Sequence, residues 1–170
     1  MEKRKTNTAL KDLILSGLFG ALLLAVQVVL APLPNVELVS LLVALYAIEF
    51  PRQIPGALAV FVLLEGLIYG FGIWWVMYLY VWPLLAAVCW LFRRTDSVLF
   101  WAAVLGVFGL MFGALCAIPY AVAGGLAAGI AYWVSGIPFD LLHCGGNVVL
   151  ALVLFRPLRG GIKRIHEKAV

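Results

Sequence analysis

The sequence predicts an all-α integral membrane protein. It reads as one domain over residues 1–170, a compact bundle of six transmembrane helices with the N- and C-termini cytoplasmic. Three observations lead there. The composition is 65% hydrophobic and 12% charged, against about 45–50% apolar and 25% charged in soluble domains, so charged residues are too few to cover a water-facing surface. The mean hydropathy is +1.11, and the apolar residues come in runs of membrane-spanning length. The twelve Lys and Arg fall in five clusters between or beside those runs: Lys3 to Lys11, Arg52, Arg93 with Arg94, Arg156 with Arg159, and Lys163 to Lys168. Short basic segments of this kind stay cytoplasmic, which accounts for the net charge of +4 without a nucleic-acid partner.

A helix crossing about 30 Å of hydrocarbon needs roughly 20 apolar residues. The first span is 13–31; it exceeds the apolar stretch of a secretory signal and is followed by further spans, so it is expected to be retained. The second, 36–50, is short, so either its ends reach into "PNVE" or it tilts. The third is 54–70 and the fourth 73–91, separated by the turn "YGFGIWW". The fifth is 97–120 and the sixth 137–155. Between them lies 121–136, "AVAGGLAAGIAYWVSG", apolar enough to be counted as another crossing. Arg94 and Arg156 flank the whole region, and both being cytoplasmic requires an even number of crossings. Residues 121–136 are therefore expected as an external re-entrant or loop segment, or a helix extension. Non-helical backbone at that depth must be covered by protein or line a cavity.

No phosphate loop, HExxH or GxSxG motif is present, so the chain is not expected to be an enzyme or to hydrolyse ATP. Cys89, Cys116 and Cys144 have no CxxC spacing and read as small buried apolar groups rather than a disulfide or zinc set. In the first span Gly17, Ala21 and Ala25 recur every four residues on one face, a pattern that lets helices approach closely in lipid. Gly109, Gly113 and Ala117 repeat it in the fifth span, where packing within the chain is the simpler reading.

Ionisable residues inside spans are functional candidates. Glu49 lies beside Arg52 and reads as an interfacial ion pair. Glu37, Glu65 and Asp140 fall in the external half of the topology. Asp140, His143 and Asn147 are spaced i, i+3 and i+7, so they share one helical stripe. Asp140 also fits an N-cap or first-turn position, and His143 and Asn147 also fit interhelical hydrogen bonding. Trp74 and Tyr78 belong to an aromatic concentration on the same side, either an interfacial belt or the stacking faces of a pocket. Glu37, Glu65, Trp74, Tyr78, Asp140, His143 and Asn147, with Asn35 in the first loop, are the candidate substrate-binding residues. No Lys or Arg lies on the external side in this topology, so a neutral or cationic ring compound with hydrogen-bond donors fits better than an anion.

The segments "APLPNVELVSLLVALYA", "FVLLEGLIYG" and "GIPFDLLHCGGNVVLALVLFRPL", with the alanine ladder of the first helix, resemble the substrate-binding S component of an energy-coupling factor transporter over nearly the whole chain. The resemblance implies an ABC-type importer of vitamins or related micronutrients in a prokaryotic cell membrane. Its partners would be a transmembrane coupling protein and two ABC ATPase subunits. It implies no intrinsic cofactor or metal, a first external loop acting as a lid, and docking on the coupling protein through Gly17, Ala21 and Ala25. The cargo it leaves open includes a tetrapyrrole such as cobalamin or haem, with His143 as axial ligand in the latter case, a thiamin-like pyrimidine, or a flavin. The competing reading is an autonomous secondary carrier or channel, in which His143 with Asp140 or Glu65 relays protons.

Overall fold

The computed structural model describes residues 2–32 and 37–169. Among them the regular elements are six α-helices and no strand: α1 (Glu2–Leu30), α2 (Val39–Glu49), α3 (Ile54–Tyr69), α4 (Ile73–Leu91), α5 (Val98–Gly124) and α6 (Leu126–Ala169). Four helical stretches are long and apolar enough to cross a bilayer: Ala9–Leu30, Ile73–Leu91, Val98–Gly124 and Leu126–Ile165. The chain is a membrane-embedded helical bundle.

The stretches 36–50 and 54–70 form shorter helices than the other four. With 11 and 16 residues, α2 and α3 rise roughly 16 and 24 Å, so neither has the length of a helix that crosses alone. For α2 the reason is its setting: nine of its residues are buried, and it packs against α1, α3, α4 and α6. A helix apolar on every side is stable only when wrapped by other elements, and α2 is the axis that the other helices wrap.

On α1 the buried positions Ser16, Phe19, Gly20 and Leu23 form one stripe. Phe19 stacks on Tyr46 of α2 with ring centroids 4.3 Å apart. Gly20 lets α1 approach α3, since a Cβ there would lie 2.6 Å from the Ala57 carbonyl oxygen. The ladder Gly17, Ala21 and Ala25 lies elsewhere: Ala21 and Ala25 are exposed, and a Cβ on Gly17 would meet nothing within 4 Å.

The segment 121–136, expected as a re-entrant or loop segment or a helix extension, extends both helices and is broken only at Gly125, whose φ is +84°. Its alanines sustain helix, and one glycine at positive φ turns the chain without Cβ strain. α6 is therefore 44 residues long, roughly 66 Å and about twice the hydrocarbon thickness. The α5–α6 hairpin is tied by Tyr120 stacked on Tyr132 at 4.1 Å. Pro119 removes the N–H that would have bonded the Leu115 carbonyl four residues back; the Tyr80 hydroxyl donates to that carbonyl at 2.6 Å instead.

Charged contacts gather at one end. Gln53 donates to Asp12 at 2.7 Å, and Arg159 bridges Glu49 at 2.7 Å and Asp96 at 2.6 Å. Glu49 thus pairs with Arg159 rather than Arg52, because α6 continues past residue 155 and carries Arg159 over the end of α2. The start of α1 and the end of α6 share this basic end.

Candidate functional site

The opposite half of the bundle holds the polar residues. Four helices contribute stripes at i+3 or i+4 spacing, the repeats that put side chains on one face. α3 presents Phe61 and Glu65, α4 presents Trp74, Tyr78 and Trp82, α5 presents Phe108 and Phe112, and α6 presents Asp140, His143 and Asn147. The rings form a continuous wall across three helices. Tyr78 meets Phe61 at 6.0 Å, Trp74 at 5.5 Å and Trp82 at 5.5 Å. Trp82 meets Phe108 and Phe112 at 5.9 and 5.8 Å, and Phe112 stands edge-on to the His143 ring at 4.9 Å.

His143 is buried, and its Nε2 lies 3.0 Å from Oε1 of Glu37. The other oxygen of Glu37 accepts the Ser40 backbone N–H at 2.8 Å, so this carboxylate both caps the N-terminus of α2, where the helix dipole favours it, and anchors α6. Asp140 is not an N-cap, because α6 begins fourteen residues earlier, at Leu126. Its Oδ1 accepts the Gly113 N–H at 2.9 Å across the α5–α6 interface, and its Oδ2 is buried without a partner among the described residues. Asn147 donates to the Leu105 carbonyl at 3.1 Å, which is the interhelical role.

Glu65 is 1% exposed. Its Oε1 and the Trp82 indole N–H are both closed from solvent with no partner among the described residues. Leaving a buried polar group unpaired costs about 1–3 kcal/mol, and more for a charge, so these two groups beside the aromatic wall, like Asp140 Oδ2 and Ser40 Oγ, weigh against stability. Tyr78 takes a hydrogen bond from Gln27 of α1 at 3.3 Å and lies within electrostatic reach of both Glu65 and Glu37.

Of the sequence candidates, Glu37, Glu65, Trp74, Tyr78, Asp140, His143 and Asn147 all belong to this half. Glu37 and His143 are in direct contact, while Asp140 and Asn147 turn toward α5. Asn35 lies outside the described residues. Sequence reasoning missed Gln27, Phe61, Trp82, Phe108 and Phe112. The available signal was the i+4 continuation of the stripes, since Trp74–Tyr78–Trp82 reads directly as one face, and the lone amide in the first span.

The arrangement supplies carboxylate oxygens for N–H donors, an indole N–H for an acceptor, and ring faces for stacking, with no Lys or Arg among the residues that form it. The Nε2 that would serve as an axial haem ligand is already occupied by Glu37. No family model, curated protein or solved structure matches the chain.

Proposed function

We propose that the chain is the substrate-binding S component of an energy-coupling factor type importer in a prokaryotic cell membrane. In this reading six helices cross the bilayer, with α2 and α3 completing their crossings through flanking residues, and the basic end is cytoplasmic. The site then faces the outside, at the Glu37 end of α2. The observation that carries the reading is a buried Glu65 carboxylate with one oxygen unpaired, and an unpaired Trp82 indole, beside an aromatic wall in the half opposite the charged cluster. A binding subunit holds polar groups in reserve for a ligand, and such groups in a membrane interior are otherwise costly.

The site chemistry favours a planar ring compound, neutral or cationic, that offers N–H donors to Glu65 and Glu37 and an acceptor to Trp82. A thiamin-like pyrimidine or a flavin suits those requirements. A haem would have to displace Glu37 from His143 and leave its propionates without a cation. Gly17, Ala21 and Ala25, on an outward face of α1 with no packing of their own, are the docking surface for the transmembrane coupling protein, and two ABC ATPase subunits supply the energy.

The purified chain in liposomes is expected to bind its ligand one to one and to show no flux under a proton gradient, with uptake appearing when the coupling protein and ATPases are co-reconstituted. Proton-driven uptake by the chain alone would overturn the proposal in favour of an autonomous carrier, in which the His143–Glu37 pair relays protons.

A further inference from the structure

A groove of about 600 Å³ lies between α3 and α4 and shares only Tyr78 with the residues named for the polar site. Its walls are made by small and kinked residues: Ala59 on α3, and Pro83 and Ala87 on α4, leave a furrow between the larger Leu58 and Leu63 on one side and Trp75 and Trp90 on the other. Two of the polar side chains that border it already have partners. The Trp75 indole donates to the Val62 carbonyl at 2.8 Å, and the Tyr78 hydroxyl is taken by Gln27. What fits such a furrow in a bilayer is hydrocarbon. Along α3 it runs from Pro55 to Leu63 and along α4 from Trp75 to Trp90, a depth of roughly 12 to 22 Å, comparable with one leaflet of a core about 30 Å thick.

One mouth of the groove is charged. Pro51 lines it, and Arg52 follows in the chain, exposed and without an ion pair among the described residues. The Arg93 guanidinium stacks over the Trp90 ring at 4.4 Å and gives one N–H to the Trp90 carbonyl, which leaves other donors free. Three acids of this end are already engaged, Glu49 and Asp96 by Arg159 and Asp12 by Gln53. Guanidiniums with unfilled donors thus lie next to two residues of the furrow, Arg52 following Pro51 in the chain and Arg93 stacked on Trp90, and guanidinium groups match phosphate geometry.

We propose that this groove holds an acyl chain of an anionic phospholipid from the leaflet at the basic end, with its phosphate between Arg52 and Arg93. The proposal does not rest on the transporter reading. Cationic pockets between helices at a membrane surface select anionic lipid in this way.

The test uses the full chain extracted in mild detergent, titrated with equal amounts of phosphatidylglycerol and phosphatidylcholine of identical acyl chains, and read by native mass spectrometry. The wild type is expected to retain phosphatidylglycerol in its first adduct over phosphatidylcholine by about tenfold. Arg52→Gln with Arg93→Gln is expected to bring the two lipids to parity. Ala59→Phe with Ala87→Phe, whose side chains point into the groove's open space, is expected to lose the first adduct of both. Equal retention of the two lipids by the wild type overturns the proposal without reference to any variant. So does a preference that survives the arginine changes, or an adduct that survives filling of the groove, in variants that stay monodisperse.

Discussion

Glu65 is the residue where stability and the proposed function pull apart. Its carboxylate is buried with one oxygen unpaired, so replacing it by an apolar residue of similar size removes a cost that no partner offsets in the ligand-free chain. Glu65→Leu is expected to raise the thermal stability of the empty protein, by about 1–3 kcal/mol, and to abolish ligand binding. Thermal unfolding in detergent, with and without ligand, checks both; a destabilised Glu65→Leu would mean that the carboxylate is structural. The Glu37–His143 contact makes a separate test. Glu37→Gln, His143→Ala and the double variant are expected to show a coupling energy of about 0.5–3 kcal/mol, while additive effects would mean that the 3.0 Å contact carries no energy. At this scale the sequence was informative where charge sat in apolar surroundings, which singled out Glu37, Glu65, Asp140 and His143. It did not show what each would bond to, because a side chain's partner depends on the helix opposite. Asp140 illustrates this: its spacing fitted a helix start, but the helix begins at Leu126, and the carboxylate turns to the Gly113 N–H.

Two glycine-bearing faces carry opposite expectations among the helices. On α5, a Cβ on Gly109 would lie 2.8 Å from the Cys144 backbone nitrogen, and one on Gly113 would run into the Asp140 carboxylate. Gly109→Ala is expected to cost about 1–3 kcal/mol through forced displacement of α6. On α1 the Gly17 position is open, so Gly17→Ala is expected to leave stability unchanged or slightly raised, since alanine is the better helix former by about 1 kcal/mol. Unfolding of both variants compares them directly. Ala21→Trp or Ala25→Trp, on the same outward face of α1, is expected to prevent assembly with the coupling protein while sparing ligand binding; co-purification of the partner reads the first and a binding titration the second. The helices themselves were legible where apolar runs ended at charged or glycine-rich turns, and 73–91 coincides with α4. The limits of α5 and α6 were not legible, because an alanine-rich stretch such as 121–136 carries no period or cap that distinguishes helix from re-entrant chain. Only the single positive φ at Gly125 sets the turn.

Across the whole molecule, the candidate site and the cluster of arginine–carboxylate contacts separate to opposite ends. Arg159 draws α2, the α4–α5 turn and α6 together at the basic end, while Glu37, Glu65 and His143 surround an aromatic wall in the other half. Composition and the clustering of Lys and Arg made this polarity readable before any coordinates. The central position of α2 was not readable, since a short apolar run signals burial without saying which helices supply it. The central claim is that the non-basic half is a ligand site rather than a packing solution. The most direct measurement is native mass spectrometry, with absorbance, on the gently extracted wild type beside Glu65→Leu. A single small ring compound bound one per chain in the wild type and absent from a stably folded Glu65→Leu is the expected result. A wild type that emerges empty and gains no stability from any candidate ring compound, or a variant that keeps the same cargo, would contradict it.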